Sequence, residues 1–442
     1  MKIGFLAMSG IRAHDPELLA LGLTLPGFVE RSRQIASLPS LGLLHLAAAT
    51  PPGHELRYFE AESDRTEPTE VYSCDLVAIS TFSAQVLEAY AIAGRLRRAG
   101  VRVAMGGLHV SVRPEEAALH ADYVVRGEGE AAWTAVVAAA AAGASPRVFD
   151  ANEFAPVDVG ELPVPRYDLL GDRPYNRFTV QTSRGCPWRC DFCASTVMLS
   201  RSYRKRPVAA VIRDIGAIME LRERPFIEFA DDNTFVDKAW GKELCRQLAP
   251  LRLKWFTETD ISVADDPELL DLMAAAGCRQ VLIGLESPGA SALEGIEMRA
   301  NFKARRAESY APALRRIQSR GITVNGCFIL GLDEHGPEVF GQVLEYARSI
   351  PLYDVQITIL TPFPGTPLYD RLLAEGRLIE PERWDLCTLF DVNYRPKKMS
   401  VEELRSGIRW LTKRLYSAEE TATRRKPFFA RLRRRPDHRP AA

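Results

Sequence analysis

The chain has 442 residues and is 46% hydrophobic, which is enough for at least two buried cores and a tail. Lysine plus arginine equal aspartate plus glutamate at 57 each, so no overall field favours nucleic acid or an anionic membrane, and we expect no nucleic-acid partner. No stretch approaches the ~18 apolar residues of a spanning helix, and the apolar N-terminal run is too short for a secretory signal. We therefore expect no transmembrane segment and a cytoplasmic protein.

Residues 1–150 alternate short apolar strands with helical segments. Strands are predicted at Ile3–Met8, His54–Glu60, Leu76–Thr81, Val101–Met105 and Tyr123–Val125. This alternation predicts a doubly wound α/β domain of the Rossmann or flavodoxin-like type. Ligands of such sheets bind beyond the carboxyl ends of the strands, so the loops after these strands are candidate binding loops.

A proline-containing linker is predicted over residues 151–175, and a second α/β series over residues 176–375. The predicted strands of this series are Phe178–Thr182, Phe226–Ala230, Trp255–Thr259, Val281–Leu285, Ile322–Leu330 and Val355–Leu360. Six strands with intervening helices predict a partial (β/α)6 barrel of the TIM type. Residues 376–420 form a C-terminal extension. Residues 421–442 are basic, and we expect them to be disordered, the alternative being a docking element.

Three of the eight cysteines, Cys186, Cys190 and Cys193, lie within eight residues, on the loop after the first strand of the second series. The other five are scattered, which excludes a disulfide framework. A cubane iron–sulfur cluster takes four ligands, so three thiolates leave one iron open. An open position is typical of a catalytic centre. The alternative is a zinc site that lacks one ligand, but no further His or Cys follows at a suitable spacing.

This spacing, after a first barrel strand, resembles the radical S-adenosylmethionine (SAM) superfamily. The resemblance implies a [4Fe-4S] cluster on the three cysteines, with the amino and carboxylate groups of SAM on the open iron. In that family one electron cleaves SAM to methionine and a 5′-deoxyadenosyl radical, which abstracts hydrogen from the substrate. The resemblance also implies an electron donor, either a reductase or a protein of the flavodoxin or ferredoxin type.

Later loops of the barrel resemble the SAM-binding motifs of the same superfamily. The residues that the resemblance assigns to SAM are Phe192, Asp231, Glu286, Ser287 and Gly331. Helix capping is the alternative explanation for Asp231 and Asp232. Cys278 and Cys327 are interpreted as small core residues rather than as methyl-carrying thiols.

The loops of the first domain lack a G-x-G-x-x-G or Walker motif, which argues against a nucleotide site. Their glycine pairs instead resemble the cobalamin-binding domain that precedes the barrel in one radical SAM subgroup. The residues assigned to cobalamin are Ser80, Thr81, Ser83, Gly106, Gly107, His109, Glu128 and Gly129. For His109, a hydrogen bond to a loop carbonyl is the alternative. The D-x-H-x-x-G loop of other corrinoid proteins is absent, so either cobalamin binds without a histidine ligand or the cofactor has been lost; we favour the former.

The leading hypothesis is a cobalamin-dependent radical SAM methyltransferase acting on an unactivated carbon of a small molecule of the secondary-metabolite or lipid type. The alternatives are a radical SAM cyclase, rearrangement or oxidation enzyme and, more remotely, a non-catalytic corrinoid or redox sensor. Trp384, Phe390 and Tyr394 are interpreted either as pocket residues or as packing over the barrel. The sequence does not identify the substrate, the electron donor or the oligomeric state.

Overall fold

The computed structural model describes residues 1–21, 24–25, 38–61, 66–195, 202–350 and 352–432. In chain order its strands are β1 (Lys2–Ala7), β2 (Ile11–Arg12), β3 (Thr24–Leu25), β4 (Glu55–Glu60), β5 (Leu76–Ser80), β6 (Arg102–Gly106), β7 (Tyr123–Arg126), β8 (Arg147–Asp150), β9 (Phe178–Val180), β10 (Ser183–Arg184), β11 (Arg204–Lys205), β12 (Phe226–Phe229), β13 (Lys254–Glu258), β14 (Cys278–Glu286), β15 (Thr323–Leu330) and β16 (Asp354–Ile359).

The described α-helices are α1 (Pro16–Ala20), α2 (Leu41–Ala48), α3 (Val86–Arg98), α4 (Leu108–Val112), α5 (Pro114–Ala117), α6 (Gly129–Ala141), α7 (Val208–Leu221), α8 (Lys238–Leu248), α9 (Pro267–Ala275), α10 (Phe302–Arg306), α11 (Tyr310–Ser319), α12 (Val339–Ser349), α13 (Pro367–Ala374), α14 (Val401–Leu415) and α15 (Ala418–Leu432). Short 3-10 helices lie at Thr69–Ser73, Ser83–Gln85, Ala151–Glu153, Tyr167–Leu170, Ala249–Leu251, Ile261–Asp265, Ala290–Leu293, Ala307–Ser309 and Trp384–Leu386. None of these described helices is long and apolar enough to cross a membrane.

The N-terminal sheet has six parallel strands in the order β4-β1-β5-β6-β7-β8. Five of the six residues of β1 are buried, as expected for a central strand covered on both faces. The order of strands reverses beside β1, and ligands of doubly wound sheets bind at such a switch point. This arrangement confirms the predicted fold class of the first domain. Strand β8 was not predicted, because its four residues at the sheet edge are largely exposed and carry no alternating pattern.

The second sheet also has six parallel strands, in the order β16-β15-β14-β13-β12-β9. Its first and last strands form the two edges and do not pair with each other, which confirms the predicted partial barrel. The short strands β10 and β11 pair with each other just beyond β9. The carboxyl ends of the long strands therefore present the loops of the cysteine motif and its neighbours at one rim.

The C-terminal segment differs from its predicted disorder over residues 421–432. Helix α15 covers Ala418–Leu432, and Arg424 and Arg425 have partners inside the fold. The Arg424 guanidinium donates to the Leu415 carbonyl, and Arg425 pairs with Asp354 at 2.7 Å. Phe428 packs against Tyr353 at 5.1 Å between ring centroids. The basic segment also carries an apolar face that packs on the fold, so the prediction of a disordered tail was wrong for residues 421–432. Residues 433–442 lie outside the described residues.

Candidate functional site

The three cysteines of the predicted cluster lie on one loop that follows β10. Cys190 is 7% exposed, and Cys186 and Cys193 are half-buried. Burial, with a contribution from the Cys193 thiol, raises the pKa of Cys186 to about 12. Burial also raises the pKa of Cys190, and both other thiols add to this effect, as expected for groups that lie close together. Among the described residues no three His, Cys, Asp or Glu side chains converge on a single-ion site. Thiolates that bind different irons of a cubane need not converge in that way.

A buried carboxylate fixes the conformation of the cysteine loop from outside. Glu297, 1% exposed, accepts the backbone N–H of Arg189 at 3.1 Å and that of Ala300 at 2.7 Å. The Trp188 ring stacks on Phe302 with ring centroids 4.1 Å apart. The segment after β14 therefore holds the loop in place. Sequence analysis did not single out Glu297, because its partners are backbone groups.

The two aspartates after β12 bind the start of the cysteine loop, and neither caps a helix. Asp231 accepts the backbone N–H groups of Thr182 at 2.8 Å and Ser183 at 2.9 Å, together with two threonine hydroxyls. Asp232 accepts the N–H of Gly185 at 3.1 Å. Burial raises the pKa of both carboxyl groups, and these hydrogen bonds oppose the shift. The oxygens of Asp231 are thus engaged within the fold, whereas Asp232 also lines the cavity described below.

Asn233 connects this loop to a cysteine. Its Nδ2 lies 3.9 Å from Sγ of Cys186 and 2.8 Å from Oδ2 of Asp260. Asp260 also accepts the indole N–H of Trp188 at 2.9 Å. Hydrogen bonds to cysteine sulfur influence the reduction potential of iron–sulfur clusters. Sequence analysis missed this contact, because it joins two separate loops.

Glu286 lies at the end of β14 and is paired with a lysine that the sequence did not indicate. Its Oε1 lies 2.5 Å from Nζ of Lys303, and its backbone has the left-handed φ of 63°. A Cβ at Gly284 would lie 2.9 Å from Nζ of Lys303, so glycine leaves room for the pair. Burial alone would lower the pKa of Lys303, but Glu286 and Cys190 raise it above its usual value. The lysine is therefore a cation beside the cysteine loop.

The remaining residues assigned to SAM have different surroundings. Ser287 is 2% exposed, and its hydroxyl lies 3.0 Å from Nε2 of His335. Gly331 has φ 86°, and its carbonyl accepts the Tyr394 hydroxyl at 2.6 Å, where a Cβ would overlap that hydroxyl. Its glycine is explained by packing of the C-terminal extension. Phe192 is half-buried against the core.

Along each strand of the barrel, every second side chain faces the barrel interior. On β13, the side chains of Trp255 and Thr257 are buried on the outer face of the sheet. The side chain of Glu258 lies on the opposite face and is exposed to the barrel interior. The pKa of Glu258 is raised to about 8, first by the loss of bulk solvent and then by the charges of the neighbouring Glu228, Asp232 and Asp231. Glu258 is therefore largely protonated at neutral pH, and sequence analysis did not single it out.

The two barrel cysteines that were interpreted as core residues differ. Cys278 is 2% exposed and packs in the core. Cys327 is half-buried, and burial followed by the charges of Glu286 and Glu258 raises the pKa of its thiol. Cys327 therefore faces the barrel interior.

A cavity of about 900 Å³ lies between the two sheets. It is lined by six of the residues assigned to cobalamin: Ser80, Ser83, Gly106, Gly107, Glu128 and Gly129. Its other end reaches the cysteine loop at Ala194, the loop after β12 at Asp232 and the C-terminal extension at Cys387. Such a volume is near the upper end of the ~300–1,000 Å³ of ligand pockets. Thr81 and His109 are not among the lining residues.

His109 is fully buried beside the cavity. Its Nδ1 lies 3.0 Å from the Ser83 hydroxyl, and its ring meets Trp384 edge-on at 5.1 Å. Burial, and then Arg113, lower the pKa of His109 to about 4. The bond is thus to a side chain rather than to a loop carbonyl, and His109 orients Ser83. Trp384, Phe390 and Tyr394 are buried and lie outside the cavity lining, so they are packing residues rather than pocket residues. Trp384 packs against the N-terminal domain, where its indole N–H donates to Glu116 at 3.2 Å.

Comparison with known families agrees with this two-part architecture. The B12 binding domain matches residues 36–137, and the Radical SAM superfamily matches residues 180–347. The chain belongs to the radical SAM superfamily. It falls in the subgroup with an N-terminal cobalamin-binding domain. Residues 366–442 match a domain of unknown function.

Several proteins resemble this radical SAM chain over most of its length. The bacteriochlorophyllide d C-12(1)-methyltransferase of Chlorobaculum tepidum is 24% identical over 387 residues, covering 86% of this chain and 83% of the relative. The hopanoid C-2 methylase of Rhodopseudomonas palustris is 28% identical, covering 78% and 66%. The structure of the radical SAM methyltransferase TsrM from Kitasatospora setae, with tryptophan and a SAM analogue bound, has a TM-score of 0.63 at 18% identity, covering 85% and 76%.

The residues of this radical SAM enzyme fit its cofactors. The matched Radical SAM domain implies a [4Fe-4S] cluster, and Cys186, Cys190 and Cys193 lie together on one loop of that domain as free thiols, which fits three ligands of such a cluster. The lysine–glutamate pair beside them offers both charges to the zwitterionic methionyl group of SAM. The cavity with its glycine-rich rim offers the volume and the close backbone approach that a corrinoid needs.

Proposed function

We propose that this protein is a cobalamin-dependent methyltransferase that acts on an unactivated carbon of a small molecule of the secondary-metabolite or lipid type. The observation that carries the proposal is the continuous cavity that joins the glycine loops of the N-terminal sheet to the cysteine loop. One chamber thus adjoins both cofactor regions. Relatives named as methylases of a bacteriochlorophyllide and of a hopanoid support a carbon atom of a small molecule as the acceptor.

When bound, the cluster and SAM supply an organic radical, and cobalamin supplies a methyl group. We assign the protein groups as follows. Lys303 binds the carboxylate of SAM, because it is a buried cation close to Cys190. Glu286 holds Lys303 in place, and Phe192 packs near the adenine. Asp232 faces the cavity from the rim, where its carboxylate accepts a hydrogen bond from a polar group of the ligand.

The barrel interior is assigned to the substrate. Glu258 of β13 and Cys327 of β15 lie two strands apart on the same sheet and face this interior, where the charge of Glu258 acts on the Cys327 thiol. A protonated carboxyl group donates a hydrogen bond, so Glu258 fits a hydroxyl, carbonyl or ether oxygen of the substrate.

We also propose a cytoplasmic location and a small flavodoxin-type or ferredoxin-type electron donor. All eight cysteines are free thiols, which suits a reducing compartment. The proposed chemistry consumes an electron from outside, because no described side chain supplies one.

The test is anaerobic purification with iron, sulfide and corrinoid analysis, followed by turnover with SAM labelled at its methyl group. Extracts of a strain lacking the enzyme serve as the source of substrate. The proposal expects 5′-deoxyadenosine and a labelled product that wild-type extracts already contain. Deoxyadenosine with an unlabelled product contradicts methyl transfer in favour of a cyclase, rearrangement or oxidation enzyme. A reconstituted protein that never cleaves SAM favours the sensor.

A further inference from the structure

A short segment after β14 runs along the outside of the cysteine loop. The backbones of Cys190 and Glu297 form an isolated antiparallel bridge, and the N–H of Met298 donates to the Arg189 carbonyl at 2.8 Å. The buried Glu297 carboxylate accepts the N–H groups of Arg189 at 3.1 Å and of Arg299 at 3.0 Å. The backbones of the two arginines therefore lie side by side, directly beside Cys190.

The surface above these backbones is basic, although the whole chain carries no net charge. Arg189, Arg299 and Arg305 are all exposed. The Arg305 guanidinium donates to the carbonyl of Ala300, which places it next to Arg299. No described carboxylate lies within ion-pair distance of the guanidinium group of Arg189 or of Arg299. Their charge is thus available to an external partner.

The other charges of this segment do not cancel the three exposed arginines. Lys303 of α10 is directed inward to Glu286, and Arg306 of the same helix pairs with Asp265 at 2.7 Å. Within residues 294–308 the exposed carboxylates are the two terminal glutamates, one at each end of the segment. The middle of the segment, which contacts the cysteine loop, is therefore positive.

An apolar side chain lies among these arginines. Met298 is 49% exposed, and its backbone is fixed by the hydrogen bond to Arg189. Methionine and arginine are both enriched at protein interfaces. Cys190, which is 7% exposed, lies directly behind this surface. A protein that docks here reaches the closest approach to the cluster from outside the barrel.

We propose that Arg189, Met298, Arg299 and Arg305 form the docking surface for an acidic flavodoxin that reduces the cluster. A flavodoxin exposes the apolar edge of its flavin among carboxylates, so Met298 meets the flavin edge and the arginines meet the carboxylates. The anionic flavin hydroquinone gives one electron to the oxidised cluster and becomes the neutral semiquinone, so no proton is transferred. The inference rests on the electron donor proposed above, but not on which group the enzyme transfers.

The test mixes flavodoxin hydroquinone with the cluster-reconstituted full chain in an anaerobic stopped-flow instrument and follows the cluster absorbance. Arg299→Glu keeps the backbone N–H and reverses the charge, so the second-order rate constant at low ionic strength should fall about tenfold. Arg299→Lys retains the charge and should retain most of the rate. The difference between the wild type and R299E should vanish at about 0.5 M salt. Arg279→Glu is the matched control, because Arg279 is exposed at the opposite, amino end of β14.

Binding is measured separately from electron transfer. Titration of oxidised, 15N-labelled flavodoxin with each variant, followed by nuclear magnetic resonance, should give a dissociation constant that rises in R299E and not in R279E. Iron and sulfide content should be equal in all variants. Deoxyadenosine formation after photoreduction by deazaflavin should also be equal, because this reductant needs no docking surface.

Four outcomes would overturn the proposal. They are an unchanged rate in R299E, an equal loss in R279E, a loss of iron in R299E, and efficient reduction by a ferredoxin with none by flavodoxin. Absence of methylated product, with cluster reduction by flavodoxin that still depends on Arg299, contradicts the proposed function and not this inference.

Discussion

Nη1 of Arg184 lies 2.8 Å from Oε1 of Glu128, and so joins the cysteine loop directly to a glycine loop of the N-terminal domain. Arg184 precedes Cys186 by two residues, and its Nη2 also donates to Glu130 at 2.8 Å. Burial raises the pKa of Glu130, but Arg184 lowers it more, so the carboxylate remains charged. The two cofactor regions therefore share one ion-pair network.

Replacing Arg184 by methionine should destabilise the protein, because it leaves the largely buried Glu130 carboxylate without its cation, whereas Glu128 retains Arg204. We expect the free energy of unfolding to fall by about 3 kcal/mol. Anaerobic denaturant unfolding of the reconstituted protein measures this change. The control is Arg166→Met, which breaks an exposed pair with Asp168 and should cost at most about 0.5 kcal/mol. Equal effects of the two substitutions would show that Arg184 has no special role.

Alanine at Cys186, Cys190 or Cys193 should abolish cluster assembly, because each thiolate is needed for a different iron. Iron and sulfide should fall to background, and deoxyadenosine formation should stop. Cys74→Ala changes a buried thiol of the other domain and should leave both quantities intact. A cysteine-loop variant that retains iron and cleaves SAM would refute the assignment of the cluster.

Lys303→Met should weaken SAM binding, because it removes the buried cation that we assign to the SAM carboxylate. We expect a rise of about tenfold or more in the KM for SAM, in line with the loss of a charge-assisted bond. Initial rates of deoxyadenosine formation measure it, with iron content as a check on the cluster. Lys242→Met is the control, since Lys242 pairs with Glu268 at the surface. An unchanged KM would reassign Lys303 to a role in folding.

Glu258 should make stability depend on pH. Its pKa is raised in the folded state to about 8, from the value of 4.5 that is ordinary for a glutamate, chiefly because burial disfavours the charged form. Between these pH values the unfolded chain loses the proton and the folded chain retains it, so rising pH favours unfolding. Glu258→Gln should therefore gain stability relative to the wild type as the pH rises from about 4.5 to 8. Denaturant unfolding at pH 5, 6.5 and 8 measures the difference between the two proteins, which should be smallest at pH 5. A difference that is constant with pH would contradict the raised pKa.

Both folds and the cysteine loop could be predicted from the sequence, because strand alternation and ligand spacing are local patterns. The contact of Lys303 with Glu286 could not be predicted, since it spans a turn that only the fold defines. Gly331 was assigned to SAM by its motif, yet the Tyr394 hydroxyl explains its glycine. Local motifs thus indicate the cofactors, whereas long-range contacts decide which side chains reach them.

The last helices cover the open edge of the barrel. The backbone N–H of Ile357, on edge strand β16, donates to the Tyr416 hydroxyl at 3.3 Å, and Arg425 holds Asp354 of the same strand. An uncovered parallel edge strand is a template for intermolecular pairing. The C-terminal helices therefore protect the enzyme against aggregation, and a chain shortened at Ser417 would be expected to precipitate even with its cysteine loop intact.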